Sequence, residues 1–403
     1  MKTWIHLILF LIVVSATSGQ ENIRQKAYFP PASSWQHQTP AQKGLNTQAV
    51  AQAIEFAKDH EAKTPREGLL AQIHSFGKEP LSDPIGALKD RGVATGLIIY
   101  KGYVVAEWGD PSRVDMTHSV TKSFLSTVVG LAVDEKLINT TLDTIADVIA
   151  PIEVYQPESN TQPELIYPFE SAHNRKLTWE VMLRQISDWE GTLWGKSDWA
   201  DRPQGDINEW KIRKRNEPGA VWKYNDTRVN ALALATTVVW RKPLPQILKE
   251  KIMDPIGASN TWHWTGYGNS WIVLDGQPVQ SVSGGGHWGG GMFINAYDMA
   301  RFGLLTLHQG NWNGKQLISE QWVKQALTPT SANPGYGYMN WFLNTNKKLL
   351  SSAPESSWVH IGNGTNMIYC DPEHDLVVVA RWIENAAMDG LIKSVLNAIA
   401  VED

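Results

Sequence analysis

Apolar residues recur at helical spacing over 47–58 and predict an amphipathic helix. Two β-rich runs, 96–100 and 103–108, follow around Lys101-Gly102, whose glycine can take positive φ, and predict a β-hairpin. Toward the other end, 366–370 and 376–382 predict a second hairpin around Asp371-Pro372-Glu373-His374, followed by a helix over 388–399. The middle reads differently. Helical patterns at 123–138, 177–186 and 228–240 are separated by long connections rich in Pro, Asn and Trp, such as 155–174. Strands at both ends with helices between them predict an α/β (α+β) fold: an antiparallel sheet built from about 46–115 and 290–400, flanked by helices, with a helical region, about 116–289, inserted. There is no internal repeat and no low-complexity tract.

The N-terminus changes where this domain is expected to reside. Met1-Lys2-Thr3 carries one positive charge, 4–14 is apolar, and Ser15-Ala16-Thr17-Ser18-Gly19 is small, the order of a secretory signal peptide over 1–19 cleaved near Gly19. The apolar run falls short of the roughly 20 residues a bilayer core needs, and no Cys lies beside it. Export to a periplasmic or extracellular location, without a stable membrane anchor, is therefore expected. Residues 20–45, with Pro30-Pro31, read as a loosely structured lead-in to a domain over 46–400. Loss of Lys2 with the signal takes the formal charge from −5 to −6, so nucleic acid and anionic lipid are not expected partners. The single cysteine, Cys370, rules out an internal disulfide and reads as a buried strand residue. Nineteen tryptophans, many between Trp179 and Trp288, suit core packing and also a cleft for an apolar or ring-bearing substrate.

The candidate chemistry centres on His118-Ser119-Val120-Thr121-Lys122, which opens an apolar run from Ser123 to Val133. A helix apolar around most of its circumference must be buried. A serine in its first turn meets unpaired N–H groups and the positive end of the dipole, where negative charge is favoured. Lys122, three residues on, projects from the same face. In a desolvated site its ammonium is disfavoured, and the amine can take the serine proton. Taken alone, the motif equally fits an N-cap serine with a solvent-facing lysine. A second Ser-x-x-Lys, Ser75-Phe76-Gly77-Lys78, has an internal glycine and Pro80 just after it, so no buried helix is expected there.

Downstream, Glu217-Pro218-Gly219 turns into a segment that delivers Tyr224, Asn225 and Asp226 ahead of a helix. A tyrosine beside a lysine loses its proton more easily and can shuttle it. Asn225 or Asp226 can hydrogen-bond Lys122 and the substrate.

With these residues, the chain resembles the serine β-lactamase and penicillin-binding-protein superfamily over about 95–400, closest to its esterase, nylon-oligomer-hydrolase and class C β-lactamase branch. Ser119-Val120-Thr121-Lys122 matches the nucleophile motif, and Tyr224-Asn225-Asp226 falls where the branch carries Tyr-x-Asn. The run from Gly284 to Asn295 and on to Phe302 is similar to its glycine-rich stretch plus helix, and Asp371-Pro372 to its last hairpin. The resemblance implies a β-lactamase/transpeptidase-like fold with catalytic Ser119, Lys122 and Tyr224 in a cleft, and no metal or organic cofactor. Two departures stand out. Asp226 replaces the branch's Asn and favours the Lys122 ammonium, which would shift base duty to Tyr224. The third motif has one counterpart, His360-Ile361-Gly362, expected along an edge strand that pairs with substrate and supplies one oxyanion-hole N–H beside that of Ser119.

Other chemistries lack their residues. No Gly-x-Ser-x-Gly elbow and no His-Glu-x-x-His motif occurs. His263 and His287 read as scattered polar positions, and the run from Trp189 to Gly195 as a cleft loop. Esters, short amides, β-lactams and D-amino-acid peptides all suit this chemistry, and the loose third motif favours a small ester or amide. The rival reading is a binding or sensor module with a degenerate site.

Overall fold

The computed structural model describes residues 27–32, 34–155 and 163–399. The export signal expected at 1–19 and its cleavage point lie outside them. Helices α1 (Thr47–Asp59) and α2 (Gly68–Phe76) precede a hairpin of β1 (Thr95–Tyr100) and β2 (Tyr103–Trp108), then β3 (Asp115–Met116) and α3 (Thr121–Asp134). The middle carries β4 (Ile152–Val154), β5 (Glu164–Ile166), α4 (Asp226–Trp240), β6 (His263–Leu274) and β7 (Gln277–Val282). Then come β8 (Gly291–Ile294), α5 (Ala296–Leu307), β9 (Phe342–Leu343), β10 (Trp358–Gly362), β11 (Asn366–Asp371), β12 (Leu376–Arg381) and α6 (Met388–Ile399).

The principal sheet is antiparallel, in the order β9-β10-β11-β12-β1-β2, so the two terminal hairpins meet where β12 pairs β1 with Ile98 opposite Val378. Because side chains alternate across a strand, each apolar run supplies two cores. Ile98, Tyr369 and Val378 pack with α1 and α6 on one face. Leu97, Ile368, Cys370 and Val379 pack toward α3 and α5 on the other. Asn46 caps α1 by accepting from Ala49 N, and the buried stripe Val50, Ala53 and Ala57 faces α6.

Helix α5 lies close on this sheet because Gly303 has no Cβ. One built there would stand 2.7 Å from Ile368 Cγ2 and 2.8 Å from Val377 Cγ1. Gly303→Ala gains about 1 kcal/mol of helix propensity, but overpacking against two stiff β-branched side chains costs about 1–3 kcal/mol. Net destabilisation is expected in urea unfolding; a more stable variant would show that the helix can lift without loss.

The inserted region departs from expectation. Besides helices it carries β4 to β7, which join β3 and β8 in a second sheet ordered β3-β8-β6-β4-β5, with β7 paired to β6. Strand β6 escapes a pattern search because Gly266, Gly268 and Asn269 interrupt it and a bulge falls between Gly266 and Trp271. The lead-in is also better anchored than expected. The Arg301 guanidinium of α5 donates to the carbonyls of Pro30, Pro31 and Ser34, and His37 bridges Val104 of β2. Helices α3 and α4, buried nearly throughout, pack against each other, and α4 also against β7. Among the described residues, no helix is long and apolar enough to cross a membrane.

Candidate active site

The Ser119 turn is pinned on both sides. Thr117 N donates to Met292 O at 2.9 Å, and Met292 N donates to Thr121 Oγ1 at 2.9 Å, so β8 holds the 118–120 turn at the head of α3. His118 sits at φ +49°, a left-handed conformation that costs a non-glycine residue about 1–3 kcal/mol. On the other side lies β10. A Cβ on Gly362 would overlap Thr117 O and stand 3.1 Å from Ser119 N, so only glycine lets this strand reach the serine backbone.

Lys122 Nζ lies 2.8 Å from Ser119 Oγ and 2.6 Å from Asp226 Oδ1, with Lys122 at 0% and Asp226 at 1% side-chain exposure. The Tyr224 ring centroid is 4.7 Å from Nζ, and its hydroxyl interacts with Ser119. Gly285 closes the far side; a Cβ there would overlap both Asp226 Oδ1 and Lys122 Nζ. The glycine-rich stretch thus serves close packing over the lysine.

Burial drives the electrostatics. It pushes the Lys122 ammonium below the ordinary lysine value, helped by the Arg202 charge and opposed by Asp226. Burial alone would raise Asp226, but the Lys122 and Arg202 charges outweigh it and hold the carboxyl well below the usual range. Burial and the Asp226 charge push Tyr224 above the ordinary phenol value, with Ser119 and Arg202 opposing weakly. This corrects the expectation that Tyr224 would lose its proton readily. Burial keeps the Tyr224 phenol protonated, and Lys122 Nζ stands 2.8 Å from Ser119 Oγ.

Two expected substrate contacts are elsewhere. Asn225 is fully buried: its side chain accepts from Arg228 N at 3.1 Å, capping α4, and donates to Asp198 O at 2.7 Å. The backbone at Asn225 is extended, so Tyr224 and Asp226 share one side and Asn225 faces the other. His360 is likewise buried on the core face of β10. Its Nδ1 lies 2.9 Å from Ser123 Oγ, and burial lowers it to about 3. The adjacent Ile361, not His360, lines the cleft.

The cleft holds about 340 Å³ and includes Phe76, Phe342, Ile361, Asn363 and Asn385 besides Ser119, Tyr224 and Gly362. No tryptophan is among these lining residues. Trp189 and Trp194 are buried, and their loop lines a different pocket beside Leu165 and Tyr167. The second Ser-x-x-Lys opens no buried helix, since Ser75 lies in the last turn of α2, which ends at Phe76. Ser75 Oγ accepts from Asn363 Nδ2 at 2.9 Å, and Phe76 walls the cleft.

Sequence motifs missed Arg202 and the role of His287. Arg202 Nη1 donates to Asp226 Oδ2 at 2.9 Å and Asp201 Oδ1 at 2.5 Å, and Nη2 donates to His287 Nδ1 at 3.1 Å. A guanidinium only donates, so His287 accepts at Nδ1 and donates from Nε2 to Glu79, 2.8 Å away. His263 stands apart, stacked on Phe293. Glu79, Asp201 and His287 offer three ligand-type atoms within 4.8 Å of one another. With the Arg202 charge on two of the three, the cluster is an ion-pair network rather than a fit for a cation. No local pattern marks Arg202; it lies in a loop of Trp, Asp, Pro and Gly.

An antiparallel sheet backed by helices, with a cleft at its edge where Ser119 and Tyr224 meet a buried Lys122, defines a class of serine hydrolases. The family model described as Beta-lactamase matches residues 92–382, and the chain belongs to that family. Solved structures share the fold. A putative 6-aminohexanoate-dimer hydrolase from Bacillus anthracis aligns over 84% of this chain and 86% of its own, with TM-score 0.53 and 16% identity. A penicillin-binding protein homologue from Caulobacter crescentus aligns over 88% and 98%, with TM-score 0.54 and 14% identity. A β-lactamase/D-alanine carboxypeptidase from Yersinia pestis aligns over 87% and 99%, with TM-score 0.52 and 16% identity. No curated protein matches the chain.

Proposed function

We propose that the protein is an exported serine hydrolase that forms an acyl-enzyme at Ser119 and hydrolyses a small ester or amide. The observation that carries this reading is the 2.8 Å approach of the fully buried Lys122 Nζ to Ser119 Oγ at the floor of the cleft. The Lys122 amine takes the serine proton as Oγ attacks the carbonyl. Backbone N–H groups of Ser119 and of the chain after Gly362 hold the oxyanion. Tyr224, kept protonated, donates to the leaving group and is restored by the Lys122 ammonium. Water then releases the acyl group. The cleft volume of about 340 Å³ and the apolar side chains of Phe76, Phe342 and Ile361 suit a small substrate. Export rests on the order of residues over 1–19.

The 2.6 Å Lys122–Asp226 ion pair favours a second reading, a binding module whose lysine stays charged. Intact-protein mass spectrometry separates the two. Residues 20–403 and Ser119→Ala are mixed with a fluorophosphonate, an activated p-nitrophenyl ester and a penicillin. Adducts on the wild type and none on Ser119→Ala are expected. Whether the penicillin adduct persists, turns over or never forms then sorts the substrate class. If no reagent labels the wild type, the binding module stands.

A further inference from the structure

Asp226 creates a difficulty that the geometry itself answers. A buried carboxylate held by lysine alone would keep that lysine protonated and unfit as a base. Here the carboxylate is divided: Oδ1 faces Lys122 at 2.6 Å and Oδ2 faces Arg202 at 2.9 Å. Arg202 is itself over-determined. Asp201, Asp226 and His287 accept from it, its guanidinium carbon lies 5.1 Å from the Tyr224 ring centroid, and its own carbonyl accepts from Lys223 Nζ. Asp201 in turn accepts from Asp226 N, and His287 leans on Glu79. Four segments therefore converge on one guanidinium: the 198–205 loop, the start of α4, the glycine-rich stretch and the chain after α2.

We propose that Arg202 is a positioning residue of the Ser119 site, one that holds Asp226 by its second oxygen and so frees Lys122 to act as the base. The inference rests on the hydrolase reading above and names a residue that no motif marks. The groups facing Lys122 are Ser119 and His118 on its own turn, Tyr224 just before α4, Asp226 at its first residue, and Asp201 and Arg202 from the loop. Those facing Asp226 are Lys122, Arg202, His287 and Asp201. Asp201 and Asp226 pull Lys122 toward its charged form, while Arg202 opposes them. Without Arg202, Asp226 and Asp201 would act on the lysine unopposed.

The test follows the titration of Lys122 by two independent readouts. One is the pH profile of fluorophosphonate labelling at Ser119. The other is the ¹³Cε-lysine NMR titration of the unlabelled protein, with Lys122 assigned through Lys122→Met. Arg202→Gln is expected to move the acid limb and the NMR midpoint upward by at least about one pH unit, a tenfold loss of labelling below the limb, with the alkaline plateau retained. Arg202→Lys, which keeps the charge, should stay near the wild type. Asp226→Asn should fall below it, and the double variant Arg202→Gln/Asp226→Asn should return between the two single variants.

If Arg202→Gln does not fold, Asp226→Asn and the double variant still carry the comparison, because neither leaves Asp226 as an unpaired charge. An Arg202→Gln midpoint no higher than that of the wild type, an Asp226→Asn midpoint no lower, or a loss in Arg202→Gln that is the same at every pH, would overturn the inference. A wild type that never labels at Ser119 would overturn the hydrolase reading instead. The NMR midpoints would still decide the role of Arg202.

Discussion

Lys122→Ala is expected to acylate Ser119 about 10²–10⁴-fold more slowly than the wild type, the usual contribution of a positioned proton acceptor, while remaining folded. Removing one member of a buried ion pair normally strands the other. In this site Asp226 keeps Arg202 at 2.9 Å, so the carboxylate retains a partner when the lysine is gone. Stopped-flow labelling with a p-nitrophenyl ester, beside a circular-dichroism spectrum, checks both halves of the statement. Tyr224→Phe should separate substrates by leaving group. A nitrophenolate departs unprotonated and should be little affected, whereas an alkyl ester or amide needs the phenol proton and should lose most of its turnover. Because burial lowers Lys122 from the ordinary lysine value, wild-type labelling should rise with pH as the ammonium gives up its proton, reaching its plateau below that value. Near-full labelling by Lys122→Ala would remove the proposed base.

The second large effect lies outside the chemistry. Arg228→Met should destabilise the protein by about 1.5–3 kcal/mol in urea unfolding, the loss of charge-assisted hydrogen bonds from a buried guanidinium, because Asp188 and Asp198 keep Arg213 and Arg215. Arg228, almost fully buried in the first turn of α4, donates to Asp188 Oδ1 at 2.6 Å, Asp198 Oδ2 at 3.2 Å and Trp189 O at 3.1 Å. Arg213 and Arg215 reach the same two carboxylates from the segment just after the short helix Ile207–Ile212. Burial opposes ionisation of Asp188, but Arg213 and Arg228 hold its carboxyl well below the usual carboxylate range. A depressed carboxylate adds stability that is complete above its unfolded value of about 3.9 and is lost as the pH falls further. Stability of the wild type should therefore fall more steeply below about pH 4 than that of Arg228→Met. A loss under about 1 kcal/mol would place this network among weak surface pairs.

What could be read from the chain by itself follows local physics. The hairpins at 96–108 and 366–382 are visible because strands buried on both faces become continuous β-branched and aromatic runs. Helix α3 is visible because a helix buried on nearly every side is apolar almost all round. Ser119 and Lys122 stand together because one helical turn separates them. A covalent neighbourhood of three residues needs no tertiary structure to be met.

The remaining decisions belong to contacts far apart in sequence. Strand alternation turned Asn225 and His360 away from the cleft and Ile361 toward it, while Gly362, on the same face as His360, reaches the Thr117–Ser119 turn only because it has no side chain; which face is which depends on the side of each strand the core occupies. Burial and the charge of Asp226 reversed the expected protonation of Tyr224. Arg202 entered the site through a loop with no pattern of its own, held by partners 24 and 85 residues away, Asp226 and His287. The sequence alone determined which side chains could do acyl-transfer chemistry and which helix would carry them. Which protons they hold was decided only by the fold, because desolvation and the placement of buried charges are properties of the packed interior.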